Sequence, residues 1–493
     1  MPKINPIIEI SGFEWGMLDD ISTPARNGFN FCAGLDIHRE IGTLQVSDKF
    51  TVIPVDKGRT NVQFSWMVQY GSTGTVYGFE RANSDSKRWI SEYSSGSPSW
   101  GTVRKYNGPS QVNGGMCEFN NKLYWAAGDD FGSYNGTTWV NSVGSFSVGT
   151  AAIWPSIGSN AAGWHPMAVL GTKLCIGDGN YLYTLDTDGV SDGSAIAIPS
   201  GELIKCSAVY GNLLYFGTVK KNVNEGKIYS WDGFSPEPQP IISLAEYGIH
   251  ALKVWKNRLM IFAGLAGNLY EFNGATQRKV KTIPGIGTQG NLNPGVVAEY
   301  NGNLLFGLSN HLNYNKDYSG LFTFGNKSEK LPEALTFQYL PSYGTIKGIR
   351  YSSLVSVDEN STNVFIVSYD DSQGTSFSNI LTPGTPGPNP IVSGTFGESQ
   401  VYDVSLAGEK RAIKGVEIIA RPLATGNSIG IKYKKDNAYS WTSLGTINSS
   451  NQGDILFGSI GLAKTFQVAL NFDITANPGT DTFYPEVFSI KIY

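Results

Sequence analysis

Residues 208–233 read AVYGNLLYFGTVKKNVNEGKIYSWDG, and this stretch predicts the fold because its plan recurs along the chain. In each copy an apolar strand ends in a large residue, a three-residue turn of Asn, Gly, Lys or Thr follows, and a leucine opens the next strand. The five leucines are spaced by 51, 40, 45 and 45 residues; they are Leu123, Leu174, Leu214, Leu259 and Leu304. A period of about 40–50 residues with several strands per unit is typical of β-propeller blades.

A second turn follows the third predicted strand of each copy. It combines an aromatic or apolar residue with Asn-Gly, Asp-Gly or Gly-Asn, at residues 134–136, 188–189, 231–233, 272–274 and 324–326. Asn-Gly and Asp-Gly accept the positive φ angles of a two-residue hairpin turn at low steric cost. Each copy is therefore predicted to be a small antiparallel meander.

Two weaker copies flank the five clear ones. The first begins at Val62, with strands predicted over 64–70, 76–80 and 89–93, and the last occupies 351–374. The sequence therefore predicts about seven blades, with six or eight possible. Because one blade cannot bury its faces alone, the ring has to close, and either the first or the last segment of the chain can donate the missing strand.

Three regions are predicted from these patterns. Residues 1–60 lack the repeat and form an N-terminal arm that either supplies a ring-closing strand or reaches a neighbouring subunit. Residues 61–380 form the β-propeller. The stretch LTPGTPGPNP at 381–390 is read as a boundary, because clustered Gly and Pro disfavour both helix and a regular ladder.

Residues 391–493 show a different pattern, with strands separated by turn clusters mostly about 8–12 residues apart, which is typical of a β-sandwich or jelly roll. The predicted strands cover 412–420, 428–433, 441–447, 454–457, 466–472 and 487–493. We therefore expect an all-β chain, with a propeller followed by a C-terminal β-sandwich.

Composition agrees with strands and turns. Glycine accounts for 59 of 493 residues, about 12% against a usual share of roughly 7%, beside 25 Tyr, 25 Phe and 11 Trp. No window shows a helical apolar period, so helix should be nearly absent. The formal charge of −4 gives no basic excess for a nucleic-acid groove. No stretch approaches the roughly 18 apolar residues of a membrane helix, and the start lacks a secretion signal, so we expect synthesis in a cytoplasm without membrane insertion.

Histidines and paired carboxylates are the residues of this chain that could carry catalysis. The four histidines are scattered and none has a partner at metal-ligand spacing; they are His38, His165, His250 and His311. Structural hydrogen bonding is the expected role of His165 and His250. Some propellers are glycosidases that use two carboxylates, but the adjacent acids here lie in predicted turns, at 19–20, 129–130 and 370–371. We predict no catalytic residue.

Metal and cofactor sites are also not expected. The cysteines are far apart without a Cys-x-x-Cys pair, and are predicted to be free and mostly buried; they are Cys32, Cys117, Cys175 and Cys206. Calcium is an alternative at 186–193, DTDGVSDG, although the spacing and terminal Glu of an EF-hand loop are missing.

The segment KKDNAYSW at 434–441 resembles a sialidase Asp-box. Asp436 and Trp441 match that motif, with Ser440 in place of its Thr, whereas Lys434 and Ala438 replace its Ser and Gly. Because the box is a structural turn even in sialidases, it predicts no activity.

Four tryptophans are predicted in loops or at strand ends; they are Trp89, Trp100, Trp139 and Trp164. They could stack on sugars, or they could pack between blades. We favour packing.

The assembly of an N-terminal arm, weakly similar blades and a short sandwich resembles virion proteins of tailed phages. The closest motifs lie at 413–417 (IKGVE), 441–445 (WTSLG) and 489–493 (SIKIY). Within that group, the tail nozzle and hub proteins of short-tailed phages are built on a propeller and form a ring around the channel through which DNA leaves.

This resemblance implies a structural subunit in the virion tail with no catalytic residues and no cofactor. Its expected partners are further copies of the chain in a ring, adaptor and fibre proteins, and viral DNA that passes without specific binding. A mildly acidic wall would suit that passage, because repulsion keeps DNA from sticking. The alternatives are a receptor- or carbohydrate-binding propeller and, less favoured, a glycoside hydrolase or depolymerase of the host surface.

Overall fold

The structure, a computed structural model, describes residues 6–17, 28–53, 63–71, 74–81, 87–94, 99–107, 114–127, 130–145, 165–191, 196–220, 223–265, 267–283, 290–310, 320–339, 350–359, 362–370, 376–386, 395–449, 455–474 and 485–493. Over these ranges the chain is almost wholly β-strand, with a single 3-10 turn at Phe13–Trp15. None of the described helical segments has the length and apolarity needed to cross a membrane. The prediction of an all-β chain nearly without helix is confirmed.

The N-terminal region contributes five short strands. They are β1 (Ile8–Ser11), β2 (Phe29–Ala33), β3 (Leu35–Asp36), β4 (Leu44–Val46) and β5 (Asp48–Val52). Each finds its sheet partner far away in the sequence, so this region is not a free extended arm over its described residues.

Consecutive antiparallel meanders then follow, which we name sheets 1 to 7. Sheet 1 contains β6 (Gln63–Tyr70), β7 (Thr75–Arg81), β8 (Lys87–Ser94) and β9 (Ser99–Asn107). Sheet 2 contains β10 (Gly115–Phe119), β11 (Lys122–Ala127), β12 (Asp130–Tyr134) and β13 (Trp139–Ser145). Sheet 3 contains β14 (Met167–Leu170), β15 (Lys173–Asp178), β16 (Tyr181–Leu185) and β17 (Ile196–Ala197).

Sheets 4 to 7 repeat this plan. Sheet 4 contains β18 (Glu202–Tyr210), β19 (Leu213–Lys220), β20 (Gly226–Trp231) and β21 (Gln239–Leu244). Sheet 5 contains β22 (Ile249–Trp255), β23 (Arg258–Ala263), β24 (Asn268–Phe272) and β25 (Gln277–Thr282). Sheet 6 contains β26 (Gly290–Asn291), β27 (Val297–Tyr300), β28 (Asn303–Asn310), β29 (Gly320–Gly325) and β30 (Ala334–Tyr339). Sheet 7 contains β31 (Arg350–Glu359), β32 (Thr362–Asp370) and β33 (Ser376–Pro386), with β5 as its fourth strand.

These sheets close into a ring. In sheet 6 both β26 and β27 pair with β28, so we count β27 as its first strand and β28 as its second. The first strand of each sheet contacts the first strand of the next, in the order β6, β10, β14, β18, β22, β27, β31 and back to β6. The N-terminal region supplies the outermost strand of sheet 7, because β5 pairs with β33. Of the two ring-closing donors left open by the sequence, the structure therefore uses the first segment. This propeller-type arrangement agrees with the period of the leucine repeat.

The boundary predicted at 381–390 is wrong in part. β33 runs on to Pro386, where Leu381 pairs with Phe50 and Pro386 pairs with Asp48. The ladder shifts register between Thr382 and Pro386. Such an irregularity next to an outer strand is where proline, which has no amide proton, can be accommodated.

The repeated leucines occupy equivalent places. Each lies on the second strand of its sheet, is fully buried, and pairs with the residue that precedes the second corner. The pairs are Leu123 with Tyr134, Leu174 with Leu185, Leu214 with Trp231, Leu259 with Phe272 and Leu304 with Phe324. The repeat therefore marks the paired second and third strands.

The first corners are two-residue turns rather than the predicted three-residue turns. In sheet 4, Gly211 and Asn212 have φ angles of 57° and 63°, and Leu213 already pairs with Tyr210. Two consecutive positive φ angles are the geometry of a type I′ turn, which matches the twist of the strands it joins. The third residue of the predicted turn is thus the first residue of the strand.

The second corners are longer than predicted. In sheet 5, four residues join β24 to β25, and Gly274 has a φ of 96°. The Asn273 side-chain oxygen accepts hydrogen bonds from the amides of Ala275 (3.0 Å) and Thr276 (2.9 Å). This Asx turn explains why Asn or Asp precedes Gly at the second corner. The predicted two-residue hairpin turn is therefore wrong, because the prediction overlooked the side-chain oxygen as a hydrogen-bond acceptor. Asn135 and Asp232 make the same kind of contact.

Buried residues form apolar clusters between neighbouring sheets. Cys206 and Ile228 of sheet 4 pack with Leu259 and Ile261 of sheet 5, for example. Hydrogen bonds also join neighbours at the first corners: Tyr70 donates to the Asn121 carbonyl (2.8 Å), Tyr210 to Asn257 (3.1 Å) and the Trp255 indole to Gly302 (3.1 Å). The large residue that ends each first strand therefore often packs against and bonds to the next sheet.

The eight remaining strands join β1 to β4 in two six-stranded sheets, which we call the end sheets. They are β34 (Thr395–Ser399), β35 (Tyr402–Asp403), β36 (Arg411–Ala420), β37 (Asn427–Lys435), β38 (Thr442–Asn448), β39 (Ile455–Ala463), β40 (Thr465–Ile474) and β41 (Glu486–Ile492). The first end sheet has the order β3-β4-β41-β36-β39, with β1 on β41. The second has the order β2-β34-β40-β37-β38, with β35 on β40.

One apolar core joins the end sheets to each other and to the ring. It includes Ile418 and Ile490 from the first end sheet, Ile431 and Leu470 from the second, and Phe322 from sheet 6. The six strands predicted within 391–493 are all present, with β39 longer than expected. The N-terminal strands β1 to β4 complete both sheets, so the C-terminal region does not form them alone.

Replacing Leu259 with Ala should lower the free energy of unfolding by about 2–5 kcal/mol, because the leucine is fully buried between sheets 4 and 5. Denaturant titration followed by tryptophan fluorescence measures the change. Ile241→Ala is the matched control, since Ile241 is 40% exposed on the outer strand β21, and its cost should stay within about 0.5 kcal/mol. Equal losses in both variants would contradict the ring-core assignment.

Candidate functional site

The first strands of the ring enclose a central cavity of about 550 Å³. Its lining residues lie on, or just before, the first strands of sheets 1, 3, 4, 5, 6 and 7. They include Trp66, Gln69, Lys253 and Glu299. Because ligand pockets commonly have volumes of about 300–1,000 Å³, this cavity is the candidate functional site.

Residues 292–295 close one end of the cavity. They precede β27 in sheet 6, and they contact sheet 4 on one side of the ring and sheet 1 on the other. The Leu292 carbonyl accepts a hydrogen bond from Nζ of Lys205 in sheet 4 (3.1 Å). A Cβ added at Gly295 would lie 3.2 Å from the indole of Trp66 in sheet 1. The segment therefore crosses the ring, and the cavity is blind at this end.

At one level of the cavity wall, the side chain from sheet 5 differs from those of four other sheets. Two residues before the end of the first strand, sheets 1, 3, 4 and 6 carry Val68, Ala168, Ala208 and Ala298, and all four line the cavity. The equivalent residue in sheet 5 is Lys253. The small side chains leave open space in the cavity at this level, and Lys253 contributes a long cationic side chain there.

Burial and charge act in opposite directions on this lysine. Burial lowers the pKa of Lys253 from its ordinary value, while the negative charge of Glu299 raises it in part. Among the described residues, no side chain accepts a hydrogen bond from the Lys253 ammonium group. The cavity therefore offers a positive group that is only partly compensated.

Polar residues occupy bulges near the closed end. The ladders of sheets 1, 4, 5 and 7 each shift register at a polar residue in the first strand, at Ser65, Lys205, His250 and Ser352. An extra residue at a bulge re-aims its side chain away from the ladder. These side chains then bridge backbone groups: Ser65 Oγ donates to the Phe79 carbonyl (3.2 Å), and Ser352 Oγ donates to the Ser368 carbonyl (2.9 Å).

Lys205 and His250 form the most deeply buried part of this belt. Nζ of Lys205 lies 2.7 Å from Nδ1 of His250. Burial lowers the pKa of both groups, and the positive charge of Lys205 adds to the lowering at His250. The pair links sheets 4 and 5, and its bond to Leu292 links both to sheet 6.

The other two described histidines, His165 and His38, make separate contacts. His165 is buried, with Nδ1 3.2 Å from the Gly177 carbonyl and 3.7 Å from Asp178 Oδ1. His38 is buried beyond β3, where its backbone amide donates to Asp36 Oδ1 (2.7 Å). His311 lies outside the described residues. The structural role expected for His165 and His250 fits these contacts.

The acidic pairs named from the sequence fall largely outside the described residues. Residues 19–20, 129 and 371 are not described, while Asp130 and Asp370 lie on strands β12 and β32. Within the described ranges, no three His, Cys, Asp or Glu side chains are grouped closely enough to hold a metal ion.

The acidic loop at 186–193 is described as far as residue 191. The Asp186 carboxylate accepts hydrogen bonds from the amides of Asp188 (2.9 Å) and Val190 (2.9 Å), which shapes the loop as a turn. Asn120 of sheet 2 donates to the Thr187 carbonyl (2.7 Å), so the loop also contacts its neighbour.

The Asp-box-like segment is a hairpin in the second end sheet. Asp436 and Asn437 have φ angles of 53° and 57°, and the Asp436 carboxylate accepts hydrogen bonds from the Lys464 amide (2.6 Å) and from Lys410 Nζ (2.7 Å). These contacts lower the pKa of Asp436 to about 2. The Asp is therefore a turn-forming residue, as in the motif it resembles.

Three exposed apolar side chains surround this hairpin, and we call them the end surface: Leu406, Tyr439 and Leu462. Their exposures are 68%, 101% and 57%. Leu406 and Tyr439 lie in loops, whereas Leu462 lies near the end of strand β39. The contacts of Asp436 with Lys410 and Lys464 link the three segments that carry these side chains. A group of exposed apolar residues is typical of an interaction site.

Two of the four candidate tryptophans pack against aromatic neighbours. Trp100 is fully buried against Phe64, with ring centroids 4.2 Å apart. Trp139 is half-buried and stacks on Tyr134 at 4.0 Å. Trp89 lies on strand β8, and Trp164 lies outside the described residues. The predicted packing role is therefore seen for Trp100 and Trp139.

The cysteines are free thiols, as expected. Cys32, Cys175 and Cys206 are buried, while Cys117 is half-buried. Burial raises the pKa of Cys32, Cys117 and Cys206 to about 12, so these thiols stay protonated at neutral pH.

Sequence comparisons do not identify a family, since no protein-family model and no curated protein matches the chain. Similar solved structures include Raptor from Chaetomium thermophilum, at 9% identity and a TM-score of 0.42 over 68% of this chain and 29% of that chain. BBS1N, solved in complex with ARL6DN, has 11% identity and a TM-score of 0.42 over 69% of this chain and 98% of that chain. The N-terminal domain of Nup159 has 12% identity and a TM-score of 0.39 over 69% and 98%. Likeness at this level supports no functional conclusion.

His250→Gln should weaken the loss of stability in acid. Because the folded pKa of His250 lies well below its ordinary value of 6.5, the unfolded chain takes up a proton that the folded chain refuses. This contribution is intact above about pH 6.5 and is lost as the pH falls below it. Gln keeps a hydrogen-bond acceptor for Lys205 and removes the titration.

The measurement is the free energy of unfolding by urea between pH 7 and pH 5. The slope for the wild type should exceed that of the variant by up to about 1.36 kcal/mol per pH unit, the value for one proton. His38→Gln serves as the comparison, because burial also lowers its pKa but Lys205 is not among the causes. Parallel slopes for the wild type and His250→Gln would contradict this role.

Proposed function

We propose that this chain is a non-enzymatic structural subunit of a phage tail ring of the nozzle or hub type. In this proposal sheets 1 to 7 are the seven blades of one propeller, and the two end sheets are the faces of a β-sandwich. The subunit would contribute to a DNA ejection channel and to an attachment platform for adaptor and fibre proteins, within the virion tail.

The observation that supports this proposal best is the end surface. Leu406 and Tyr439 on two loops, and Leu462 near the end of strand β39, expose apolar area on segments that are linked by the contacts of Asp436. Burying such side chains against another protein removes about 25 cal/mol of free energy per Å² of apolar surface. The hydrogen bonds of Asp436 between these segments reduce the conformational entropy that would be lost on association.

The sequence motifs that resemble tail proteins lie in the same unit. Residues 413–417 fall within β36, residues 441–445 enter β38, and residues 489–493 extend through the end of β41. These strands build both end sheets, so the resemblance concerns the part of the molecule that carries the end surface. This placement supports a role in assembly.

The form of the central cavity bears on where DNA would pass. Because residues 292–295 cross the ring and the cavity measures about 550 Å³, a duplex does not fit through a single subunit. In the proposed ring the channel would therefore lie between copies of the chain. Closed rings of identical subunits use the same pair of unlike surfaces at each contact.

Carbohydrate binding through tryptophans has less support among the side chains that are described. Trp100 is fully buried, and one face of Trp139 is covered by Tyr134. A receptor-binding role that uses other residues stays an alternative, and a glycan array would detect it. Release of reducing sugars from host polysaccharide would identify a depolymerase.

The experiment is native mass spectrometry of the purified chain, together with cryo-electron microscopy of the virion. We expect a defined ring of copies and density for the chain in the tail. A chain that stays monomeric at tens of micromolar and is absent from virions would contradict the proposal.

Leu462→Lys combined with Tyr439→Ser should disrupt that assembly, because a charge and a hydroxyl replace two apolar contacts. The expected result is a shift of most of the mass signal from ring to monomer, with an unchanged melting temperature. Phe234→Ser is the control, since Phe234 is 88% exposed on the second corner of sheet 4, away from the end sheets. Rings that survive the double substitution and dissociate with the control would place the contact on the propeller instead.

A further inference from the structure

We propose that the blind central cavity binds a small organic acid, with a monovalent carboxylate at Lys253 and a compact apolar body against the walls. This binding site is independent of the proposed structural function, which uses the end surface. The inference rests on three features of the cavity: its room, its single cation and its apolar floor.

The room comes from a set of small side chains at one level of the ring. Ala168, Ala208 and Ala298 occupy the same position in sheets 3, 4 and 6 that Lys253 occupies in sheet 5. Larger residues here would fill the axis, as side chains do in closely packed interiors. The remaining volume of about 550 Å³ is ample for a ligand of around ten heavy atoms.

The ammonium group of Lys253 lies where a bound anion would stabilise its charge. Lys253 is half-buried, and none of the described side chains accepts a hydrogen bond from it. The lowered pKa of Lys253 reflects burial that Glu299 offsets only in part. A carboxylate beside Lys253 would supply both an opposite charge and hydrogen-bond acceptors.

The polarity of the walls favours a monovalent acid over a phosphate. Among the lining residues that the structure describes, Lys253 is the only Lys or Arg, and Glu299 lies on the neighbouring strand of the same cavity. Lys253 could pair with only one of the two negative charges of a dianion. The second charge would enter a partly desolvated site unpaired, at a cost in binding free energy. The neutral polar groups, Gln69, Ser207 and Ser356, can orient a single acid group.

The apolar part of such a ligand would lie toward the closed end. There the lining includes Trp66, Met67, Met167, Pro294 and Leu354. An aromatic face and flexible thioethers adapt well to a flat ring. Because residues 292–295 close this end, the ligand would enter from the opposite mouth with its apolar part first.

The test uses benzoate as the probe, in isothermal titration calorimetry with the full chain, and benzamide as its uncharged analogue. We expect benzoate to bind with a Kd on the order of 0.1–1 mM, as for a good ligand of nine heavy atoms, and benzamide to bind at least tenfold more weakly. Lys253→Met keeps most of the unbranched side chain, removes the charge and should weaken benzoate at least tenfold. Glu299→Gln should strengthen it several-fold, because a competing negative charge is removed.

Two further variants locate the site. Ala298→Phe fills the cavity and should abolish benzoate binding, whereas Lys330→Met removes an exposed lysine of sheet 6 and should leave it unchanged. Thermal melting of each variant establishes that it is folded. Absence of heat at 10 mM benzoate with the wild type would overturn the proposal, as would equal binding of benzamide or wild-type affinity in both Lys253→Met and Ala298→Phe.

Discussion

The whole structure depends on closure of the ring. A four-stranded sheet of this size cannot bury both faces by itself, so each sheet relies on apolar contacts with the sheet on either side. Pairing of β5 with β33 completes the last sheet, and contact between β31 and β6 completes the circle. The strands that close the ring come from opposite ends of its sequence, which makes the stability of every sheet a property of the entire chain.

Local pattern in the sequence was enough to predict the ring. Leucines at a constant place in each copy mark the second strand, and Asn-Gly or Asp-Gly marks the second corner, because both features report short-range geometry. The outer strands were harder to detect. Strand β25, Gln277–Thr282, is exposed or half-buried along its whole length, so it has no apolar alternation to reveal it. The turn lengths were missed because side-chain acceptors such as Asn273 act without any signal in hydropathy.

Long-range pairing could not be predicted from the sequence. The strands of the N-terminal region carry ordinary short β patterns. Nothing in these patterns specifies that both β1 and β4 should pair with β41. Sequence reasoning also missed the candidate site. Lys253 looks like an ordinary lysine in a strand, and its position becomes distinctive only after the equivalent residues of the other copies, such as Ala208 and Ala298, are seen around one cavity.

The pairing of sequence-distant strands has a consequence for synthesis. Strands β1 and β4 are made long before their partner β41. The Gln45 side chain donates to Glu486 (3.0 Å), and both are buried, so this polar contact also forms only after β41 has been made. Until then the first end sheet lacks the strand that joins its N-terminal strands to β36, and the apolar faces that it will cover stay open to solvent.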